Sequence, residues 1–374
     1  MKTVLKILGV VVGLVVVGGG AFFGWAKMEI ASKLDRTPEA HTVGFPMPYP
    51  LSEGELAALR ADKAAEAKAA EATDAPAEAG TAQPTADGGL PDAPATAEAE
   101  AEAEAPAEED ALEGVDLGAI AKRRALKRGE HLVTARYACI ECHGKDFSGG
   151  VMVDDPAIGK LLGPNITQGS GSRAIGFTPE DWDRIVRHGI KKDGHPGMMP
   201  SEDFQLMSDQ ELSDVVVYIL DQPPVDNEVP SVSLGPLGTV LAATGKLPIA
   251  YDMIHDHDAP HAKRPPRAKA DATFGKHLAG ICTGCHRAGL EGGPIAAGPP
   301  DWPPARNLTP HADGTEGWTY EQFEAAMRKG VRPDGSQLKL PMTLIIPYAQ
   351  KMTDTEMQAL WAYISSTPAT PTGE

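Results

Sequence analysis

All four cysteines of this 374-residue chain fall in two copies of one pentad, Cys139-Ile140-Glu141-Cys142-His143 and Cys282-Thr283-Gly284-Cys285-His286. Each pentad sits inside a longer repeat, and that repeat limits the fold more than any other feature. "RGEHL" (128–132) matches "FGKHL" (274–278) ahead of the pentads, and "GPNIT" (163–167) matches "ARNLT" (305–309) behind them. "FTPEDWDRIVRHGIKKDG" (177–194) matches "WTYEQFEAAMRKGVRPDG" (318–335), and "MSDQELSDVVVYI" (207–219) matches "MTDTEMQALWAYI" (352–364). The helix starts repeat too. Thr178/Asp181, Ser208/Glu211, Thr319/Gln322 and Thr353/Glu356 have the spacing at which two side chains cap each other's backbone N–H. Each copy reads as helix, pentad, long Gly/Pro loop, helix, Met-containing loop and final amphipathic helix, with no sustained strand. The sequence predicts an all-α fold of two homologous domains, 115–225 and 268–374, joined by a connector at 226–267.

Four chemistries compete for the pentads. A redox dithiol of the thioredoxin type needs βαβ surroundings, which the pattern lacks. A zinc site needs four converging ligands; here it would draw cysteines from two domains and leave both histidines unused. A disulfide between residues three apart closes too small a loop to stabilise much. Covalent attachment of a c-type haem employs every residue, with two thiols adding to the porphyrin vinyl groups and the adjoining histidine ligating iron. Cys139, Cys142, Cys282 and Cys285 are thus the expected attachment points of two haem c groups, with His143 and His286 on the irons. Such a cofactor would also supply the core that domains drawn from a chain with 5% aromatic residues otherwise lack.

The opposite face of each iron has methionine candidates. Met198, Met199 and Met207 serve the first domain, and Met342 and Met352 the second. Met199 follows His143 by 56 residues and Met342 follows His286 by 56, each beside a proline. Met207 and Met352 directly precede helix N-caps, where packing suits them better. Met199 and Met342 are the expected axial ligands; the competing reading is ordinary loop packing. His/Met ligation raises the potential of the iron. His255, His257 and His261, in "HDHDAPH", read as a solvated loop in preference to a metal site, and His188, whose counterpart is Lys329, as structural. Asn165 and Asn307 read as loop contacts near a haem edge, and Arg187 and Arg328 as propionate partners.

From Ile7 to Ala26 twenty residues carry no charge. That length spans a bilayer, and Lys2 and Lys6 favour a cytoplasmic N-terminus, so 1–26 is the expected membrane anchor of a bacterial inner-membrane protein. A cleaved signal peptide is the alternative, and both place the haem domains in the periplasm. Within the juxtamembrane stretch 27–72, Pro46, Pro48 and Pro50 impose an extended path, and Ser52/Glu55 open an Ala-rich helix. Between Lys68 and Lys122 there is no Lys or Arg but fourteen Asp and Glu, most of the net charge of −18. Large apolar residues are sparse there, so 73–114 is expected to be disordered. It would act as a tether, letting the haem domains search for redox partners near the membrane. The charge excludes nucleic acid as a partner.

At its pentads and late methionines the sequence resembles the class I cytochrome c superfamily, over roughly 115–225 and 268–368. The tandem form is similar to dihaem cytochromes that serve membrane-bound dehydrogenases and respiratory oxidases. The resemblance implies a haem crevice closed by crossed N- and C-terminal helices, with Gly129 and Gly275 at the crossings facing Tyr218 and Tyr363. The order Pro341-Met342 departs from the usual Met-Pro order seen at Met199-Pro200. Dehydrogenase subunits of this kind often carry a third haem motif, and this sequence has two. The implied function is relay of single electrons between redox proteins, free-standing or as the haem subunit of a dehydrogenase or terminal oxidase, without catalytic residues. A dihaem peroxidase is a further alternative; it would need an open iron beside a distal acid–base group, against which the matched methionines argue.

Overall fold

The structure, a computed structural model, describes residues 2–74, 112–254, 256–295 and 302–373. The chain separates into two compact units, one of Met1–Tyr49 with Lys122–Glu374 and one of Pro50–Ala121. It begins with α1 (Lys2–Asp35). The side chains of residues 1–15 lie outside the description. Among the described residues no helix is long and apolar enough to cross a membrane, so the span expected over 1–26 is not shown. The last turns of α1 do have a protein partner: Ile30 packs with Ala242 and Ile249 of the connector.

Residues 36–49 then run extended over the first domain. Phe45 and Tyr49 are buried in the same apolar cluster as Trp182 and Val186. Val43 N donates to Asp183 Oδ2 (2.6 Å) and Ser213 Oγ to the Pro46 carbonyl (2.7 Å). This corrects the expected tether. The chain docks on the haem domain before the acidic segment begins, because two aromatic side chains in the proline stretch have a core to enter. The smaller unit holds α2 (Glu53–Asp74), opened by the expected reciprocal pair: Ser52 N donates to Glu55 Oε2 (2.7 Å) and Glu55 N to Ser52 Oγ (3.2 Å). Residues 75–111, nearly all of the segment expected to be disordered, lie outside the described residues.

The first domain continues with α3 (Leu117–His131), a π-helical turn (Leu132–Arg136), α4 (Cys139–His143), strands β1 (Gly150–Asp155) and β2 (Gly159–Gly163), α5 (Pro179–His188), a 3-10 turn (Ser201–Asp203) and α6 (Asp209–Leu220). The connector supplies β3 (Ser233–Leu234), α7 (Pro236–Ala243) and α8 (Ala250–Met253). The second domain has α9 (Ala272–Leu278), a 3-10 turn (Ala279–Cys282), α10 (Thr283–His286), α11 (Tyr320–Lys329), a 3-10 turn (Met342–Leu344), α12 (Ile346–Ala349) and α13 (Asp354–Ile364).

The helical expectation holds apart from the small antiparallel sheet β1-β2-β3, which the sequence reading missed. β1 pairs with β2 from Gly150↔Gly163 to Asp155↔Gly159 with a bulge at Val151/Val153. Its turn is closed by Asp155, whose side chain accepts from Ala157 N and Ile158 N. Val151 and Met152 are exposed, so the hairpin buries too little to leave an alternating apolar pattern.

The four reciprocal helix caps of the repeated domains also form as expected. So do the two helix crossings. A Cβ at Gly129 would overlap the Asp214 carbonyl and Tyr218, and one at Gly275 the Ala359 carbonyl and Tyr363. Glycine is what lets α3 and α9 close onto α6 and α13. The crossings gather two cores, one around Leu132, Val133, Trp182, Leu212 and Val216, the other around Phe274, Leu278, Phe323, Met357 and Leu360. Each such aliphatic side chain stabilises the fold by about 1.5–3 kcal/mol relative to exposure.

Candidate haem-binding sites

Each pentad is one helical turn, and the chain turns sharply behind it. Left-handed residues occur at matching places, Gly144 and Arg287 directly after the histidines, then Phe147 and Leu290. Such a conformation costs a non-glycine residue on the order of 1–3 kcal/mol. Phe147 and Leu290 offset that by near-complete burial. The turn is locked by Gly149 N to the His143 carbonyl (2.8 Å) and Gly292 N to the His286 carbonyl (3.0 Å). Ile166 N to the Phe147 carbonyl (2.9 Å) and Leu308 N to the Leu290 carbonyl (2.8 Å) then bring the returning chain alongside.

The outcome is one carbonyl delivered to each histidine. His143 Nδ1 donates to the Pro164 carbonyl (2.9 Å), and His286 Nδ1 to the Arg306 carbonyl (2.7 Å). With the proton held at Nδ1, the lone pair of the neutral ring is at Nε2, the arrangement that orients a metal-ligating histidine. Burial lowers both pKa values, against the opposing pull of those carbonyls, and so favours the neutral ring. These carbonyls were not singled out from sequence, although both stand directly before an asparagine in matching motifs.

The asparagines tie that returning chain down. Asn165 Oδ1 accepts from Thr167 N and Oγ1, while its Nδ2 donates to the Val225 carbonyl (2.8 Å). Asn307 Oδ1 accepts from Thr309 in the same way, and its Nδ2 donates to the Thr370 carbonyl (2.7 Å). Each therefore clamps the histidine's carbonyl to the chain leaving the last helix; Asn307 also lines the cleft described next.

Cys285, His286 and Met342 line one cleft, walled by Leu308, Trp318, Phe323 and Met327. Cys282 packs on the second core, and Cys139 and Met199 each pack against the first. All four thiols are free. Two thiols, a neutral imidazole with its lone pair presented, and a thioether beside an apolar cleft fit a c-type haem. Met207 is core and Met352 packs against the second cluster, as expected. Both arginines read as propionate partners pair with protein carboxylates. Arg187 is fully buried with Asp183 (2.5 Å), Asp209 (2.9 Å) and the Met207 carbonyl (3.0 Å), leaving only Nη2 without a protein partner. Arg328 pairs with Asp354 (2.9 Å) and Glu324 (3.1 Å). α5 and α11 each put an acid four residues before the arginine, Asp183 and Glu324, which makes one pair of each arginine local to its helix.

The seam between the haem domains repeats itself. His131 Nε2 is 2.9 Å from Glu356, and the matching His277 Nε2 is 2.8 Å from the matching Glu211. Tyr348 donates to Glu141 of the first pentad, and Asp203 stands over Gly284 of the second. Both pentads thus face the opposite domain. Burial pushes Glu211 up, but Arg136 at 2.8 Å and His277 pull its pKa down to about 2.

A second polar cluster corrects the reading of the connector histidines as a solvated loop. His257 and His261 pack on the buried His188 with ring centroids 5.4 Å away, and His257 stacks on Tyr251 at 4.0 Å. Residues far apart in sequence meet there, a contact no spacing rule reports. His255 lies outside the described residues.

Residues 124–219 match the family of cytochrome c oxidase, cbb3-type, subunit III, and residues 272–368 match the cytochrome c family. The cytochrome c subunit of quinone alcohol dehydrogenase from Gluconobacter oxydans (strain 621H) is 28% identical over 291 residues, 68% of this chain and 57% of that protein. The fructose dehydrogenase cytochrome subunit of Gluconobacter japonicus is 25% identical over 283 residues, 67% of this chain and 54% of that one. The gluconate 2-dehydrogenase cytochrome c subunit of Pantoea cypripedii is 31% identical over 102 residues, covering 25% and 22%. The chain spans little more than half the length of the first two relatives. Two tandem cytochrome c domains, each with a covalently bound haem c, make this chain a homologue of dehydrogenase cytochrome subunits.

Proposed function

We propose that the chain is the electron-relaying subunit of a dehydrogenase complex, passing single electrons between a catalytic partner and a further acceptor. The proposed axial ligands are His143 and Met199 in the first domain and His286 and Met342 in the second. The observation that carries this reading is the matched bracing of His143 and His286 by backbone carbonyls, in domains whose pentads meet at a common seam. Haem iron supplies reversible one-electron chemistry, so the protein need only bind, orient and desolvate. The Nδ1 bonds fix each ring, the left-handed turns bring up the carbonyls that accept them, and Trp318, Phe323 and Met327 keep water from the second site. Were Met199 and Met342 to hold the irons opposite the histidines, no coordination position would be left open for peroxide. We further propose that the uncharged run 7–26 anchors the chain in the inner membrane with the haem domains in the periplasm; Lys2 and Lys6 support that orientation.

The test is extraction of native membranes in mild detergent, isolation through this chain, and addition of candidate alcohol, sugar or sugar-acid substrates. A dehydrogenase should co-elute, and its substrate should reduce both haems. A chain that elutes alone, with haems no substrate reduces, would overturn the subunit reading in favour of a free-standing carrier.

A further inference from the structure

Away from the haem sites, imidazoles from separate segments converge on one buried carboxylate. Asp183 and His188 come from α5, and His257 and His261 from the connector. Among the described residues, one donor atom each from Asp183, His188 and His261 lies within 4.8 Å of the others.

The hydrogen bonds fix where the protons are. His257 Nε2 lies 3.0 Å from the Tyr251 carbonyl, which only accepts, so Nε2 carries a proton. In its neutral form His257 then has a lone pair at Nδ1, 3.1 Å from His188 Nδ1, which must donate. Neutral His188 is left with a bare lone pair at Nε2. That lone pair faces His261 Nε2 at 3.4 Å and Asp183 Oδ2 at 3.9 Å. The carboxylate is held from behind by Arg187 on Oδ1 (2.5 Å), and Val43 N takes one lone pair of Oδ2 (2.6 Å). Among the described residues no hydrogen bond takes its other lone pair.

From this geometry we infer that Asp183 Oδ2, His188 Nε2 and His261 Nε2 form a binding site for one divalent zinc-type metal ion, a water completing the tetrahedron. With bonds of about 2.0–2.2 Å, tetrahedral ligands stand roughly 3.3–3.6 Å apart; the two histidine nitrogens are already at 3.4 Å, and the carboxylate, 3.9 Å from His188, would draw in on the ion. His257 is the outer partner that orients His188. The second domain has Lys329 at the position of His188, so the site belongs to the first domain alone. The ion would staple the stretch after α1, α5 and the connector together, and it has no part in the electron relay.

The test uses the full-length holoprotein, stripped with a chelator and then titrated with zinc against a chromophoric competitor. Wild type should withhold one equivalent of zinc. His188→Gln and His261→Ala should withhold none while keeping both haems and their reduced spectrum, and His257→Ala should bind about 10–100-fold more weakly. X-ray absorption at the zinc edge of the loaded wild type should show only N/O neighbours. The inference is overturned if wild type withholds no zinc, if the bound ion shows a sulfur neighbour, or if a haem-replete His188→Gln or His261→Ala variant withholds as much as wild type.

Discussion

His277 Nε2 lies 2.8 Å from Glu211 Oε1, and the same two repeat positions meet in reverse as His131 and Glu356, 2.9 Å apart. Each glutamate already caps its own helix, Glu211 on Ser208 N and Glu356 on Thr353 N. One carboxylate therefore serves a helix start and the opposite domain together, so helix capping and interdomain docking are coupled.

That coupling is unequal. Glu211 is almost fully buried between Arg136 and His277, whereas His131 is about a third exposed. Glu211→Gln should destabilise the holoprotein by about 3–5 kcal/mol, since it strands a buried cation. Glu356→Gln should cost less. Denaturant unfolding followed by haem absorption compares them, and equal losses would contradict the asymmetry.

The same carboxylate sets an acid limit. Its pKa of about 2 lies below the ordinary 4.5, so the unfolded chain binds the proton more tightly than the folded one. The stability contributed by Glu211 is complete above pH 4.5 and is lost as the pH falls from there through about 2. Stability measured between pH 5 and 2 should fall less steeply in Glu211→Gln than in wild type; parallel curves would refute the assignment.

At the helix crossings there is no room for a methyl group. Gly129→Ala and Gly275→Ala should each destabilise by about 1–3 kcal/mol or more through overpacking, with lower recovery of haem-loaded protein. An alanine at either site with wild-type melting behaviour would show that the crossing relaxes.

The proposed iron ligands are separable by spectroscopy. Met199→Ala and Met342→Ala should each remove about half of the weak long-wavelength Met–iron absorption of the oxidised protein, and lower the potential of one haem, because a thioether favours the reduced iron. Redox titration of each variant, wild-type-like in both, would return these methionines to loop packing.

The histidine brace can be loosened from a distance. Asn307→Ala leaves Thr309 and the Thr370 carbonyl without their buried partner, at about 1–3 kcal/mol. It should also free the Arg306 carbonyl to drift from His286, which a shifted potential of the second haem alone would register. Unchanged stability would rule out the clamp.

The sequence by itself determined the number and kind of cofactors, the two-fold repeat and the reciprocal helix caps. Each of these depends on residues close in the chain or on comparing one copy with the other: two thiols and a histidine must be adjacent to grip one porphyrin, and a cap spans three residues. Only the tertiary structure decided the rest. It put Phe45 and Tyr49 into the first core, paired Arg187 and Arg328 with protein carboxylates, and gathered His188, His257 and His261 around Asp183. These contacts join segments tens of residues apart, and their energy comes from which surfaces happen to exclude water together. No periodicity encodes that.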